Sequence, residues 1–124
     1  MNTIENKRLF IKDDVVDWEE TAPGLKRKIM AWDDRIMLVK VAFEKGAVGT
    51  LHSHPHTQIS YVESGVFEIE ISGEKSVLKT GEVFYVPPHA VHGAVCLEAG
   101  LLIDTFSPMR EDFVKQQHID STVL

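Results

Sequence analysis

No stretch of this 124-residue chain before residue 107 keeps its apolar residues at helical spacing for more than two turns. It has instead short apolar runs separated by turn signals at close intervals, the mark of an all-β chain. Strands are expected at Lys26 to Ala31, Ile36 to Phe43, Val48 to His52, Gln58 to Glu63, Val66 to Ile71, Ser76 to Leu78, Val83 to Val86, Val91 to Leu97 and Leu101 to Phe106. Phe67, Ile69 and Ile71 alternate with Glu68 and Glu70 as in a half-buried strand, and Ser64-Gly65 and Ser72-Gly73 read as tight hairpin turns. So many short antiparallel strands in one small chain predict a closed barrel or jelly roll. Near the end the pattern changes. Ser107-Pro108 followed by Glu111 and Asp112 predicts a helix start, with a cap, a proline at the first position and acids at the dipole's positive end. The closing QQHIDSTVL carries no pattern and is expected to fray.

Composition narrows the function. The length allows one domain, and 44% hydrophobic residues suffice for a single core. A net charge of -6 argues against a nucleic-acid partner, which needs clustered Lys and Arg. The opening MNTIENKRLFIKDDVVDWEE is charged throughout, and no later run approaches the ~18 apolar residues of a spanning helix, so a cytosolic protein without membrane contact is expected. The single cysteine, Cys96, has no partner for an internal disulfide, which leaves packing, metal and oligomerisation to supply stability. Edge strands of such barrels need covering, and a homodimer in which the N-terminal segment 1–24 packs would provide it.

Two glycine-anchored histidine motifs carry the chemistry: Gly46 to Gly65 (GAVGTLHSHPHTQISYVESG) and Gly81 to Cys96 (GEVFYVPPHAVHGAVC). Side chains alternate across a strand, so His52 and His54 share a face, as two imidazoles must if they are to meet on one ion. His52, His54, Gln58 and His92 are four potential metal ligands. Three neutral imidazoles and a neutral amide would leave a divalent ion's charge uncompensated and make it a strong Lewis acid with no need of redox activity. Zn, Ni, Fe, Co, Cu and Mn all remain open.

The spacing Gly46, His52-x-His54, Gln58, Gly65 resembles the first cupin motif, with Gln where most cupins carry Glu. Gly81, Pro87-x-His89, His92, Cys96 resembles the second, with His89 and Cys96 in place of a usual Gly and Asn. The resemblance implies a cupin-type jelly roll (double-stranded β-helix) over residues 25–106, followed by a short helix and tail over 107–124. A narrower likeness runs from HSHPHTQ through VPPHAVHG to LLIDTFSPMREDF and resembles the small cupins of pectin breakdown that linearise unsaturated uronate sugars. In that group Gln at position 58 is usual, whereas Thr57 stands where Glu is expected. This resemblance implies metal on His52, His54, Gln58 and His92, and reaction roles for Asp104, Phe106 and Arg110. It implies conversion of a 4,5-unsaturated monouronate from pectin or alginate to its linear keto form. The alternatives are a non-catalytic sugar-binding or sensory cupin, and a metal-dependent dioxygenase.

Taken by themselves, these residues admit plainer accounts. Asp104 lies in the apolar run LLIDTF on the face of Leu102 and Phe106, where a carboxylate is costly unless paired; proton transfer or a hydrogen-bonded structural role would both account for it. Phe106 alone reads as core. Arg110, placed in the first helical turn, opposes the dipole there, so either a bound carboxylate or a surface ion pair is expected to explain it. His56 follows the same alternation but comes after Pro55, which bends the strand. His89 belongs to a Pro-Pro turn beside the site, His118 to the tail, and Cys96 reads as a small buried thiol. Trp18, Trp32, Met30 and Met37 read as packing or subunit contact.

Overall fold

This computed structural model describes residues 8–123, with side chains through residue 117. After a 3-10 turn at Asp13–Val15 come eight strands and a helix: β1 (Glu19–Ala22), β2 (Leu25–Trp32), β3 (Met37–Phe43), β4 (Val48–His52), β5 (Thr57–Ile71), β6 (Glu74–Lys79), β7 (Val83–Val86), β8 (His92–Ser107) and α1 (Glu111–Val123). All pairings are antiparallel, in the order β1-β2-β3-β8-β5-β6, with β4 added to β8 and β7 to β5. The fold is the all-β jelly roll expected, with one C-terminal helix.

Its frame is the pair β5 and β8, hydrogen-bonded to each other from Thr57↔Ser107 to Ile71↔His92. The first half of β5 also takes β7 and its second half β6, while the two halves of β8 take β4 and β3. Each long strand therefore serves both layers and must bend between them. The bend falls at Ser64-Gly65, which is a bulge inside one continuous strand and not the hairpin turn its composition predicts. Gly65 has φ +86, and the register shifts on both sides of it. Opposite lies Gly100, where a Cβ would run into the Ser64 carbonyl and stand 2.6 Å from the Gly65 Cα. Turn residues on both strands let two backbones cross closely, so what reads as four short strands is two long ones. Ser72-Gly73 is the turn expected: both residues have positive φ, and Ile71 pairs with Glu74.

Three further differences concern the ends. β1 escapes the sequence pattern because Glu19, Glu20 and Thr21 show no apolar alternation; it pairs with β2 within the same chain. Ser107 closes β8 and does not cap the helix, since its hydroxyl donates to the Arg35 carbonyl. The helix starts three residues beyond Pro108, at Glu111, and Arg110 is its capping residue, accepting the Val114 N–H on its carbonyl. α1 also runs on through most of the patternless tail, to Val123.

The larger core cluster gathers Phe43, Val62, Phe67, Ile69, Phe84, Val86, Cys96 and Leu102 between the layers, with Phe43 and Phe67 edge to face at 5.1 Å. The smaller packs Val114 of α1 against Ile29, Met37, Val39 and Phe106. Phe106 thus anchors the helix and, as shown below, walls the cavity.

The bend makes a stability ordering testable by thermal unfolding. Gly100→Ala should destabilise by ~3 kcal/mol, because the added methyl meets backbone on the partner strand. Gly73→Ala meets nothing within 4 Å and should cost only the left-handed strain, ~1 kcal/mol. Equal melting temperatures for the two variants would remove Gly100 as the seat of the bend.

Candidate metal centre and its cavity

Three imidazoles converge at one end of the roll. His52 ends β4 and His92 begins β8, and the two are direct cross-strand partners, which brings their rings to 4.3 Å. His54, from the segment between β4 and β5, closes the group at 4.8 Å from His92 and 5.6 Å from His52. One ligand atom from each lies within 4.8 Å of the others, so the trio could hold a metal ion. His54 and His92 are buried while His52 is exposed, which leaves the cluster open toward solvent on one side.

The outer nitrogens are all tied to backbone carbonyls: His52 Nδ1 to Thr50 at 2.8 Å, His92 Nδ1 to Ala90 at 2.9 Å and His54 Nδ1 to His56 at 3.2 Å. A ring that donates from Nδ1 presents the lone pair of Nε2 inward, the tautomer a metal requires. Burial keeps the buried rings neutral. It is the main cause that brings His54 down to about 4, aided by the charge of Arg110, and it lowers His92 as well.

Two observations show that the cluster is incomplete with protein groups alone. The Nε2 of His92 is buried without a partner among the described residues. His54 faces oxygen on both nitrogens, since its Nε2 lies 3.0 Å from Gln58 Oε1. A neutral ring has one proton, so one of these contacts sets lone pair against lone pair. A cation among His52, His54, His92 and Gln58 Oε1 would satisfy both, and the neutral nitrogen and oxygen donors suit a divalent transition ion.

Beyond the cluster a cavity of about 190 Å³ continues between the layers. Its walls include Gln58, His52, His92, Asp104, Phe106, Arg110, Arg27 and Phe113. It is smaller than the ~300–1,000 Å³ of drug-sized clefts and suits a small metabolite. Asp104 is half-buried there and receives the Ser60 hydroxyl on Oδ1 at 2.6 Å. Burial pushes its carboxyl up to about 6, against the opposing pull of Ser60 and the more distant charge of Arg110.

Arg110 is buried, not a surface residue of the first helical turn. Its guanidinium stacks 4.1 Å from the Phe113 ring and 5.0 Å from that of Phe106. Asp112 grips it with two bonds, Nε to Oδ1 at 3.0 Å and Nη2 to Oδ2 at 2.8 Å. The ion pair expected as the plain account therefore exists, yet it lies at a cavity wall and leaves donors of the guanidinium over. Burial works against the Asp112 charge, but the Arg110 bonds and charge outweigh it and hold that carboxyl below the ordinary value. Arg27 also lies over the Phe113 ring, at 4.0 Å, and is itself bonded to Glu19 at 2.7 Å.

The remaining candidates fall outside the cluster. His56 stands edge-on to His54 at 5.3 Å and is not among the clustered ligands. His89 is exposed with φ +68, its N–H bonded to the His54 carbonyl, so it braces the loop of a cluster member. Cys96 is buried with its thiol toward the Glu98 carbonyl, and burial raises its pKa. Met30 and Met37 are core, Trp32 packs on the smaller core cluster, and Trp18 lies beneath the ammonium groups of Lys26 and Lys28. His118 lies outside the residues whose side chains are described. Sequence reasoning missed Ser60, Arg27, Asp112 and Phe113. Only Ser60 carried a signal, since it shares the strand face of Gln58 at spacing two.

Comparison with known proteins agrees with this fold. Residues 39–103 match the family model described as "Cupin domain". The chain is 53% identical over 110 residues to the "Pectin degradation protein KdgF" of Dickeya dadantii, spanning 87% of this chain and 99% of that protein. Among solved structures, KdgF from Halomonas sp. superposes with a TM-score of 0.83 at 47% identity, covering 86% of this chain and 99% of that one. An RmlC-like cupin from Shewanella frigidimarina gives 0.84 at 46%, covering 86% and 96%. The chain belongs to the cupin family, within the group that contains the KdgF proteins.

Proposed function

We propose that this protein is a metal-dependent enzyme of pectin breakdown that opens the ring of a 4,5-unsaturated monouronate to its linear keto form, an isomerisation. One observation carries the proposal: a chain 53% identical to a pectin degradation protein along nearly that protein's whole length has a three-imidazole cluster, Asp104 and Arg110 around one cavity. The same chemistry would serve uronates released from alginate.

Ring opening requires the C1 hydroxyl to lose its proton, the bond from C1 to the ring oxygen to break, and the resulting C5 enolate to take a proton at C4. The proton count closes and no electron is gained or lost. A divalent ion held by His52, His54, His92 and Gln58 would supply Lewis acidity toward the sugar oxygens. Asp104, brought near neutrality by burial, takes the proton from the C1 hydroxyl and returns it to C4. Arg110 offers its unused N–H donors to the substrate carboxylate, and Phe106 forms the flat wall against the ring. The reaction does not call for a redox-active metal, so Zn, Ni, Fe, Co, Cu and Mn remain eligible.

Homodimerisation and a cytoplasmic location belong to the same proposal. On the outer face, Ile59 lies opposite Tyr85 and Tyr61 opposite Val83, and all four are exposed, an apolar strip that a second copy would cover. Among the described residues no helix is long and apolar enough to cross a membrane.

The activity is testable by following loss of absorbance of the conjugated double bond. Asp104→Ala and a chelator-stripped sample should each lose ~100-fold or more in kcat, with divalent metal restoring only the stripped wild type. Equal rates in all three samples would end the enzyme proposal.

Arg110→Ala should raise KM about tenfold or more for the uronate, with a smaller change in kcat. An unchanged KM would remove Arg110 from substrate binding.

The pH dependence has a defined sign. A carboxyl raised from 3.8 to about 6 on folding holds its proton more tightly when folded, so ionised Asp104 costs stability above pH ~6 and costs nothing below pH ~4. Asp104→Asn should therefore melt higher than wild type in metal-free protein at pH 7.5, by at most ~3 kcal/mol, with the margin closing by pH ~4. His54 works in reverse: its depressed pKa contributes stability above pH ~6.5 that is lost as pH falls toward 4. Wild-type kcat should fall as pH drops through about 6. An Asn variant that melts lower at pH 7.5 would contradict the buried-charge account.

A further inference from the structure

We propose that Ser60 is a positioning residue that fixes which end of the Gln58 carboxamide faces the three histidines, and so makes Gln58 a metal ligand; this rests on the cluster being a cation site. A carboxamide has two ends of similar shape and opposite character, and only its oxygen can bind a cation. Which end faces inward depends on what meets the other end.

Ser60 sits two residues after Gln58 on β5 and therefore on the same face, and in the sheet register it is directly opposite Asp104 of β8. Its hydroxyl carries one proton, and the Asp104 carboxylate takes it at 2.6 Å. An ionised carboxylate only accepts, so the direction of that bond is set. What Ser60 then presents to Gln58 is a lone pair, at 2.9 Å from Nε2. Only the NH₂ end of the amide can be received there. The oxygen is left toward the cluster, 3.0 Å from His54 Nε2, the contact that protein groups alone leave unsatisfied. Ser60 is fully buried, so bulk water does not take over the role of its hydroxyl. Amide, hydroxyl and carboxylate thus form one directional chain of hydrogen bonds, with its acceptor end at Asp104 and its amide oxygen at the cation site. Such chains strengthen cooperatively, so polarising the amide oxygen tightens the hydroxyl's hold on Asp104.

The test is zinc affinity by competition with a chromophoric chelator, in four proteins: wild type, Ser60→Ala, Gln58→Glu and the double variant. A carboxylate has no wrong end, so Ser60 should matter only beside glutamine. We expect Ser60→Ala to bind zinc about tenfold more weakly than wild type, and the double variant to match Gln58→Glu within about twofold. Equal affinity of Ser60→Ala and wild type overturns the positioning role while the cation site stands. The same fractional loss in both backgrounds also overturns it, since that is what mere loosening of the fold would give. No zinc binding by wild type overturns the cation site and this inference with it. If circular dichroism shows Ser60→Ala unfolded, wild type labelled with ¹⁵N-glutamine decides. The side-chain N–H signal lost in Gln58→Glu should stay protected from exchange when zinc is added, and loss of that protection would mean that the NH₂ end has left Ser60.

Discussion

Antiparallel pairing of β5 with β8, bent at Gly65 and Gly100, is the constraint on which the site depends. It explains how one strand supplies two kinds of chemistry. His92 and Asp104 both belong to β8, twelve residues apart, too far along a straight strand to face one small molecule. The bend carries the two halves of β8 into different layers, and the cavity between the layers receives His92 from one half and Asp104 and Phe106 from the other. β5 follows the same course, so its residues Gln58 and Ser60 fall between the cluster and the carboxylate. The two glycines are therefore features of the site, although neither touches it. Side chains at either position would force the backbones apart and with them the groups that must converge.

Within that frame the electrostatics favour a cation over protons. Three imidazoles within reach of one another would repel if protonated, and the guanidinium of Arg110 adds to the penalty at His54. Burial works in the same direction. His54 and His92 stay neutral, and with the outer nitrogen of each of the three rings at a carbonyl, the inner nitrogens face a shared point. A lone pair against a lone pair at His54 and an unpartnered nitrogen at His92 are a cost that folding alone does not recover, and one divalent ion would remove both. Asp104 shows the same economy with the sign reversed: burial that disfavours its charge is what brings a carboxylate near the pKa of a useful proton carrier.

The fold class was legible because period-two alternation and glycine punctuation are local signals. The strand count was not, because a glycine that permits a bulge looks in sequence like one that permits a turn; only the partner strand distinguishes Ser64-Gly65 from Ser72-Gly73. β1 was invisible because polar Glu19 and Glu20 carry no pattern, and its place comes from the register with β2. The helix start was misplaced for a related reason: Ser107 has a capping side chain, but its hydroxyl goes to Arg35, seventy-two residues away in sequence. Convergence of His52 and His54 was legible from spacing, whereas the approach of His92 needed the two-motif pattern. Arg27, Asp112 and Phe113 left no trace, since an arginine in a strand and an acid in a first helical turn have ordinary explanations.

Those three residues bear on how a protein of net charge -6 can hold an anion. Screening confines the bulk charge to a range of ~8–10 Å, so the walls of the cavity decide. Phe113 lies against both guanidiniums, with Arg27 at 4.0 Å and Arg110 at 4.1 Å. Two cations in contact with one ring would repel, and each is accordingly matched to a carboxylate, Glu19 or Asp112. For Arg110 the match also solves a placement problem, because a cation at the helix cap faces the positive end of the dipole while Asp112 and Glu111 sit in the first turn to offset it. A guanidinium has five N–H donors in a rigid fork, and the two bonds to Asp112 occupy one edge. The remaining donors are oriented by that grip, so the pair that neutralises Arg110 also aims it. A lysine with its single ammonium could satisfy the carboxylate or an anion but would lack the planar edge that, in the proposed role of Arg110, would let one residue do both.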